Sequence, residues 1–161
     1  MKAGSANVED TGTVLSDVTL TFTNTTETGT NFMWSLDEHT SAEAEPTYSF
    51  SKAGQYAITL RGVDSRNCPI TVEKTITVED LVITNAISPN GDGKNDQLFI
   101  EPFLYNAEFK LINRWGQSVY ETSSYTNDFT GANLESGVYY YELYFKAVDK
   151  RYKGYVHVMK Q

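Results

Sequence analysis

The side chains best able to do chemistry gather in one loop. Asn90, Asp92, Asn95 and Asp96 fall within seven residues, with Gly91 and Gly93 between them free to take the positive φ of a tight loop. Such a loop folds back side-chain oxygens, and Ca²⁺ seeks roughly six to eight of these at ~2.3–2.6 Å. The spacing partly matches calcium loops of the Asp-x-Asn-x-Asp-Gly kind but lacks the distal bidentate glutamate of an EF-hand. The same residues also suit a second arrangement, in which Asn and Asp side chains cap their own backbone in an elaborate turn. Neither arrangement performs a reaction; an ion here would lock a loop between two strands. No other cofactor is indicated.

Catalytic constellations are missing from the rest of the sequence. His39 and His157 are the two histidines, and neither lies near the other, a Gly-x-Ser-x-Gly elbow or a His-Glu-x-x-His pattern. Glu38, Glu43 and Glu45 read as a solvated acidic loop with nothing to raise a carboxyl pKa, as general acid catalysis needs. Cys68, the single cysteine, can form no internal disulfide, and beside Pro69 it reads as a small buried or turn residue. These features point to a protein that is not an enzyme. The formal net charge of −8, with no Lys/Arg patch to override it, argues against nucleic acid as a partner. No segment approaches the ~20 consecutive apolar residues of a membrane helix. Met1 to Ser5 lack the apolar stretch of a secretory signal, so export would require a leader upstream.

The elements that must position these residues are strands. Eleven Tyr, eight Phe and two Trp accompany many Thr and Val, residue types that fit a pleated, half-buried surface. Val18, Leu20 and Phe22 alternate with threonines; Phe32, Trp34 and Leu36 alternate in turn, as do Tyr48 with Phe50, and Tyr56 with Ile58 and Leu60. Residues 24–31 and the acidic stretch 37–46 read as loops, and Ile70 to Val78 closes this first series with Val72, Ile76 and Val78 on one face. After Glu79-Asp80 a second series begins: a strand over 81–86, another through Leu98 and Ile100, a hairpin of 109–112 with 118–121, a Tyr-rich strand over 138–148 and a last strand over 152–159. Short strands at this spacing with polar turns predict an all-β chain of two tandem immunoglobulin-like β-sandwich domains, 1–80 and 81–161.

Two resemblances follow from particular motifs. Residues 1–80 resemble a PKD-type immunoglobulin-like domain through Trp34 in Phe32-Met33-Trp34-Ser35-Leu36-Asp37, through Pro46 to Phe50, and through the Gly-x-Tyr-x-x-x-Leu pattern of Gly54, Tyr56 and Leu60. The Gly-Asp-Gly turn usual after the Trp strand is replaced by Asp37-Glu38-His39-Thr40. Residues 81–161 carry three motifs in order: Ser88 to Asp96, then Asn113-Arg114-Trp115-Gly116 with Val119-Tyr120, then Leu134 to Tyr141. A late Gly154 and a short final strand complete the set, which resembles the gliding-motility-associated C-terminal domain of Bacteroidetes, the type B sorting domain of type IX secretion cargo. Where that family usually has Trp-Asp-Gly, this chain has Asp128-Phe129-Thr130-Gly131.

The resemblance implies an address label on a large surface adhesin, secreted through the periplasm and outer membrane to the cell surface. Its implied partners are the type IX translocon and associated outer-membrane proteins of the PorP/SprF type, with the PKD-like half as spacer. Candidate contact residues are Arg114 and Trp115, for which the alternative is a tight turn whose Trp folds back onto the sandwich. Tyr140 and Tyr144 are further candidates on the outward side of the Tyr-rich strand, with Tyr155, His157 and Lys160 on the last one. That last strand is expected at a sheet rim, where edges pair readily. A carbohydrate- or cell-binding adhesin module, or an accessory domain of a secreted hydrolase, are the rival readings.

Overall fold

Period-2 alternation is what the chain uses to build its cores. In a computed structural model, residues 2–3, 12–26 and 28–160 are described, and they divide into two compact units, Met1–Asp80 and Leu81–Gln161. Both are all-β sandwiches, as the alternation predicts.

The first unit holds β1 (Lys2–Ala3), β2 (Thr13–Leu15), β3 (Thr19–Thr23), β4 (Thr30–Leu36), β5 (His39–Ser41), β6 (Thr47–Ser49), β7 (Gly54–Val63) and β8 (Pro69–Glu79). One sheet runs β1-β3-β6 and the other β2-β8-β7-β4-β5. Leu20 and Phe22 from the first sheet meet Trp34, Leu36, Ile58, Leu60, Ile76 and Val78 from the second, all buried. The acidic stretch after Leu36 is not wholly loop. Asp37, at φ 58°, turns the chain, and β5 folds back on β4 with Leu36 opposite His39. β5 is a short rim strand whose His39 and Thr40 are both exposed, so it has no apolar alternation to reveal it.

The second unit holds β9 (Val82–Ile83), β10 (Ala86–Ile87), β11 (Ile100–Glu101), β12 (Ala107–Ile112), β13 (Ser118–Thr122), β14 (Gly137–Phe145) and β15 (Lys150–Val158). Its main sheet runs β10-β15-β14-β12-β13, and β9 pairs with β11 in a second, two-stranded sheet. The stretch expected as one strand over 81–86 is thus divided. β9 joins one sheet and β10 the other, so the chain crosses between sheets within a few residues. β14 ends at Phe145 rather than running to Val148, because residues 146–148 form one 3₁₀ turn closed by Asp149 at φ 48°. The last strand, expected at a rim, has neighbours on both sides, since β10 pairs with its end.

Inward side chains of the second unit form an aromatic core around Phe109. Its ring centroid lies 4.7 Å from that of Tyr125 and 6.0 Å from that of Tyr141. Tyr125 is fully buried, and its hydroxyl donates to the Leu98 carbonyl at 2.6 Å. Burial drives the Tyr125 phenol pKa far above its ordinary value. This bond ties the 122–130 connection to the start of β11. Asn127 adds a second tie, accepting from the Ile100 amide at 2.9 Å and donating to the Ile100 carbonyl at 3.1 Å, as a neighbouring strand would.

Tyr125→Phe removes a buried donor while keeping the ring. It should lower the stability of the second unit by about 1–3 kcal/mol, seen as an earlier urea midpoint for that unit's amide signals in NMR. An unchanged midpoint would show that the tie contributes nothing.

Candidate docking site on the second unit

The outer face of the main sheet, the side turned away from the core, is laid out in rows by strand register. One row runs Ile112, Tyr140 and Tyr155 across β12, β14 and β15. Beside it Val138 lies opposite His157. The next row runs Glu121, Lys110, Glu142 and Lys153 across β13, β12, β14 and β15, and the third runs Glu108, Tyr144 and Arg151. Successive outward positions on one strand are two residues apart, so a single register fixes all three rows.

The first row is aromatic and open. Tyr140 and Tyr155 are each 52% exposed, and the Tyr155 ring lies 5.5 Å from His157, edge to face. At the same end of the sheet stands the turn joining β12 to β13. Asn113 builds this turn almost alone: its side-chain oxygen accepts from the amides of Trp115 and Gln117, each at 3.0 Å, and Gly116 takes φ 82°. With the turn held by Asn113, the Trp115 ring is turned to solvent. It is 70% exposed rather than folded back onto the sandwich, and the Arg114 guanidinium stacks on that same ring, 4.3 Å from its centroid. Asn113 stood in the sequence as the first residue of that motif without a role; the signal for its role is an Asn four positions before Gln117 at a Gly-containing turn.

The second row alternates in sign. Lys110 pairs with Glu121 at 3.5 Å, and Lys153 donates to Glu142. That hydrogen bond, and the charge behind it, pulls the Glu142 carboxyl below its ordinary range. In the third row Arg151 lies over the Tyr144 ring at 3.7 Å. The Tyr144 hydroxyl donates to Asp149 at 3.1 Å, which holds the phenol above its ordinary pKa.

The proposed contact residues therefore divide into two groups. Arg114, Trp115, Tyr140, Tyr155 and His157 share one end of the sheet with their rings or charges presented to solvent. Tyr144 is engaged by Arg151 and Asp149, two rows away. Lys160 is occupied as well: its ammonium donates to the Ala132 carbonyl at 2.7 Å and its amide to Ser136 at 3.0 Å, fastening the chain after β15 to the 132–136 segment.

The Asn90–Asp96 loop is organised around its own amides. Asp96 accepts from the amides of Asn90 at 3.1 Å, Gly91 at 2.9 Å and Gly93 at 2.8 Å. Asp92 accepts from the Lys94 amide at 2.8 Å, and Asn90 from the Asp92 amide at 3.1 Å. Gly91 and Gly93 have φ of 77° and 81°, and Asn95 has 52°. The amides of Asn90, Gly91 and Gly93 occupy three of the roughly four acceptor positions of the Asp96 carboxylate, two on Oδ1 and one on Oδ2. The bonds from Gly91, Gly93 and Asn90 hold the Asp96 carboxyl below its ordinary range.

Fold and face define a class: paired all-β sandwiches, one of them carrying a solvent-facing aromatic end. Residues 81–158, nearly the whole second unit, match the family model of the CHU_C type IX secretion signal domain. That match supports a sorting-signal role, contact with type IX machinery and export across the outer membrane. Among solved structures, the chain is similar to the three N-terminal domains of the highly immunogenic outer capsid protein of bacteriophage RB49, at 15% identity and TM-score 0.46 over 92% of this chain and 56% of that one. It is also similar to a Bacteroides ovatus protein, SGBP-B of a mixed-linkage glucan utilization locus, at 19% identity and TM-score 0.32 over 91% and 42%. Clostridium thermocellum CbhA fibronectin(III)-like modules match at 10% identity and TM-score 0.33 over 92% and 88%. The chain thus spans about half the length of the first two. No curated protein matches it.

Because folding lowers the Asp96 pKa, its bonds stabilise the loop fully above the unfolded value of about 4. That stabilisation is lost as pH falls through the lower folded value. The Gly91 and Gly93 amide resonances should shift with an inflection below pH ~4 that Asp96→Asn abolishes. Resonances that ignore pH in the parent protein would rule out the carboxylate as the loop's organiser.

Proposed function

We propose that residues 81–161 are the sorting signal that takes a larger surface adhesin through the type IX translocon, and that residues 1–80 are a PKD-like spacer in its stalk. The observation that carries this reading is the family match over 81–158, which coincides with a unit that has its own core. The protein works by being recognised and performs no chemistry. Arg114, Trp115, Tyr140, Tyr155 and His157 form the surface read by the translocon or by outer-membrane proteins of the PorP/SprF type. Rings with few rotatable bonds, presented beside an arginine, are the side chains that concentrate binding energy at interfaces.

The test is export of a fluorescent reporter fused ahead of residues 81–161, behind a signal peptide, in a gliding Bacteroidetes strain with and without a working translocon. Reporter outside the cell only with the translocon is the expected result. Trp115→Ala with Tyr140→Ala should reduce export by about tenfold or more, the size of a hot-spot loss, while leaving the fold intact by circular dichroism. Deleting Tyr152 to Gln161 should abolish export, because the deletion removes almost all of β15. Periplasmic retention of the parent fusion in both strains, also with residues 1–161, would sink the sorting reading. The exposure of the same rings favours one second reading, a carbohydrate-binding adhesin module. It predicts glycan affinity that Trp115→Ala removes.

A further inference from the structure

One side of the second unit's main sheet is incompletely covered. β10 pairs with β15 only at its end, Ala86 against His157 and Ile87 against Val158. There the His157 amide donates to the Asn85 carbonyl at 2.8 Å and the Met159 amide to the Ile87 carbonyl at 2.9 Å. Amide direction alternates along a strand, so the amides of Arg151, Lys153 and Tyr155 point to that same side. The segment that would continue β10 beside them is β9, and it pairs with β11 in the other sheet. Among the described residues no strand pairs with the Arg151–Tyr155 edge.

This edge has a chemical character of its own. Lys146, Lys150, Arg151 and Lys153 fall within eight residues, in a chain of net charge −8. Arg151, Lys153 and Tyr155 are exposed on the outer face in succession, and Tyr155 adjoins Tyr140. Basic residues on an edge deter apolar strands and copies of themselves. A second copy of this chain laid along the edge would set arginine and lysine against arginine and lysine, which destabilises cross-strand pairs. An acidic strand meets no such repulsion and competes only with Glu142 for Lys153.

We propose that the Arg151–Tyr155 edge accepts an extended acidic segment of a partner protein as an added strand. The segment reads acidic-x-acidic-x-apolar, its carboxylates beside Arg151 and Lys153 and its apolar side chain against Tyr155. Backbone bonds from the three free amides supply affinity, and the alternate side chains supply selectivity. The inference rests on the reading of this unit as a docking module and specifies which strand of the partner it takes.

The experiment uses the ¹⁵N-labelled full chain and two synthetic peptides of equal length, one carrying Asp-Thr-Asp-Thr-Val, the other Lys-Thr-Lys-Thr-Val. The aspartate peptide should give saturable shifts at the Arg151, Lys153 and Tyr155 amides and slow their hydrogen exchange at least tenfold. The lysine peptide should do neither, and R151E with K153E should reverse the preference. Lys153→Pro removes an amide that lies outside the β14 ladder, and a sheet edge tolerates proline. It should abolish binding, whereas Lys153→Ala, which keeps the amide, should only weaken it. Equal responses to both peptides, shifts confined to other surfaces, or no response would overturn the proposal. Exporting the parent reporter while the peptide fails to bind would remove this inference alone; a parent that is not exported would remove the sorting reading and leave the edge to be judged by NMR.

Discussion

β14 and β15 pair along nine residues each, from Gly137 opposite Val158 to Phe145 opposite Lys150, and the register of that ladder governs everything displayed on the second unit. Strand side chains alternate strictly, so a slip of one residue would bury Tyr140 and Glu142 and expose Tyr141 and Leu143. Core burial of Tyr139, Leu143, Phe145, Val156 and Val158 opposes such a slip. A more local lock is the pair of Tyr141 and Gly154, directly opposite each other. The Tyr141 ring lies where a Cβ on residue 154 would have to be. Gly154 has no need of unusual backbone angles; it is required for space. A ring over a strand glycine repairs the weakness that glycine brings to a sheet.

With register fixed, the outer face separates its two kinds of interaction without further machinery. The alternating row Glu121, Lys110, Glu142 and Lys153 leaves each charge beside its opposite. Ion pairs this exposed contribute little stability, ~0–1 kcal/mol each. Their larger effect is to keep the centre of the face balanced in charge, leaving the aromatic end and the open backbone of the Arg151–Tyr155 edge as the places with interactions still to make.

Much of this was legible in the sequence, and the failures share a cause. Leu20, Phe22, Trp34, Leu36, Ile58 and Leu60 announced their strands by alternation because each faces a core. β5 gave no such signal, since His39 and Thr40 are exposed. The split of 81–86 into β9 and β10 was hidden because both pieces are two residues long, too short for any period. The last strand's neighbour could not be foreseen for the same reason. At the candidate site, the outward set Tyr140, Tyr155 and His157 followed from parity along β14 and β15. What a single sequence could not supply was contact between distant segments, which alone reveals that Tyr140 lies opposite Tyr155 and that Lys160 is spent on Ala132.

The placement of β10 has a mechanical consequence. β10, near the start of its unit, lies parallel to the end of β15, and in the first unit β2 lies parallel to the end of β8 in the same way. Tension that reaches β2 and β8, or β10 and β15, from opposite ends of a unit runs along these strands rather than across them. The bonds between Thr13–Leu15 and Thr77–Glu79 are then loaded together in shear and must fail together, instead of opening one by one like a zip. A unit folded this way resists being pulled lengthwise far better than being peeled from one side.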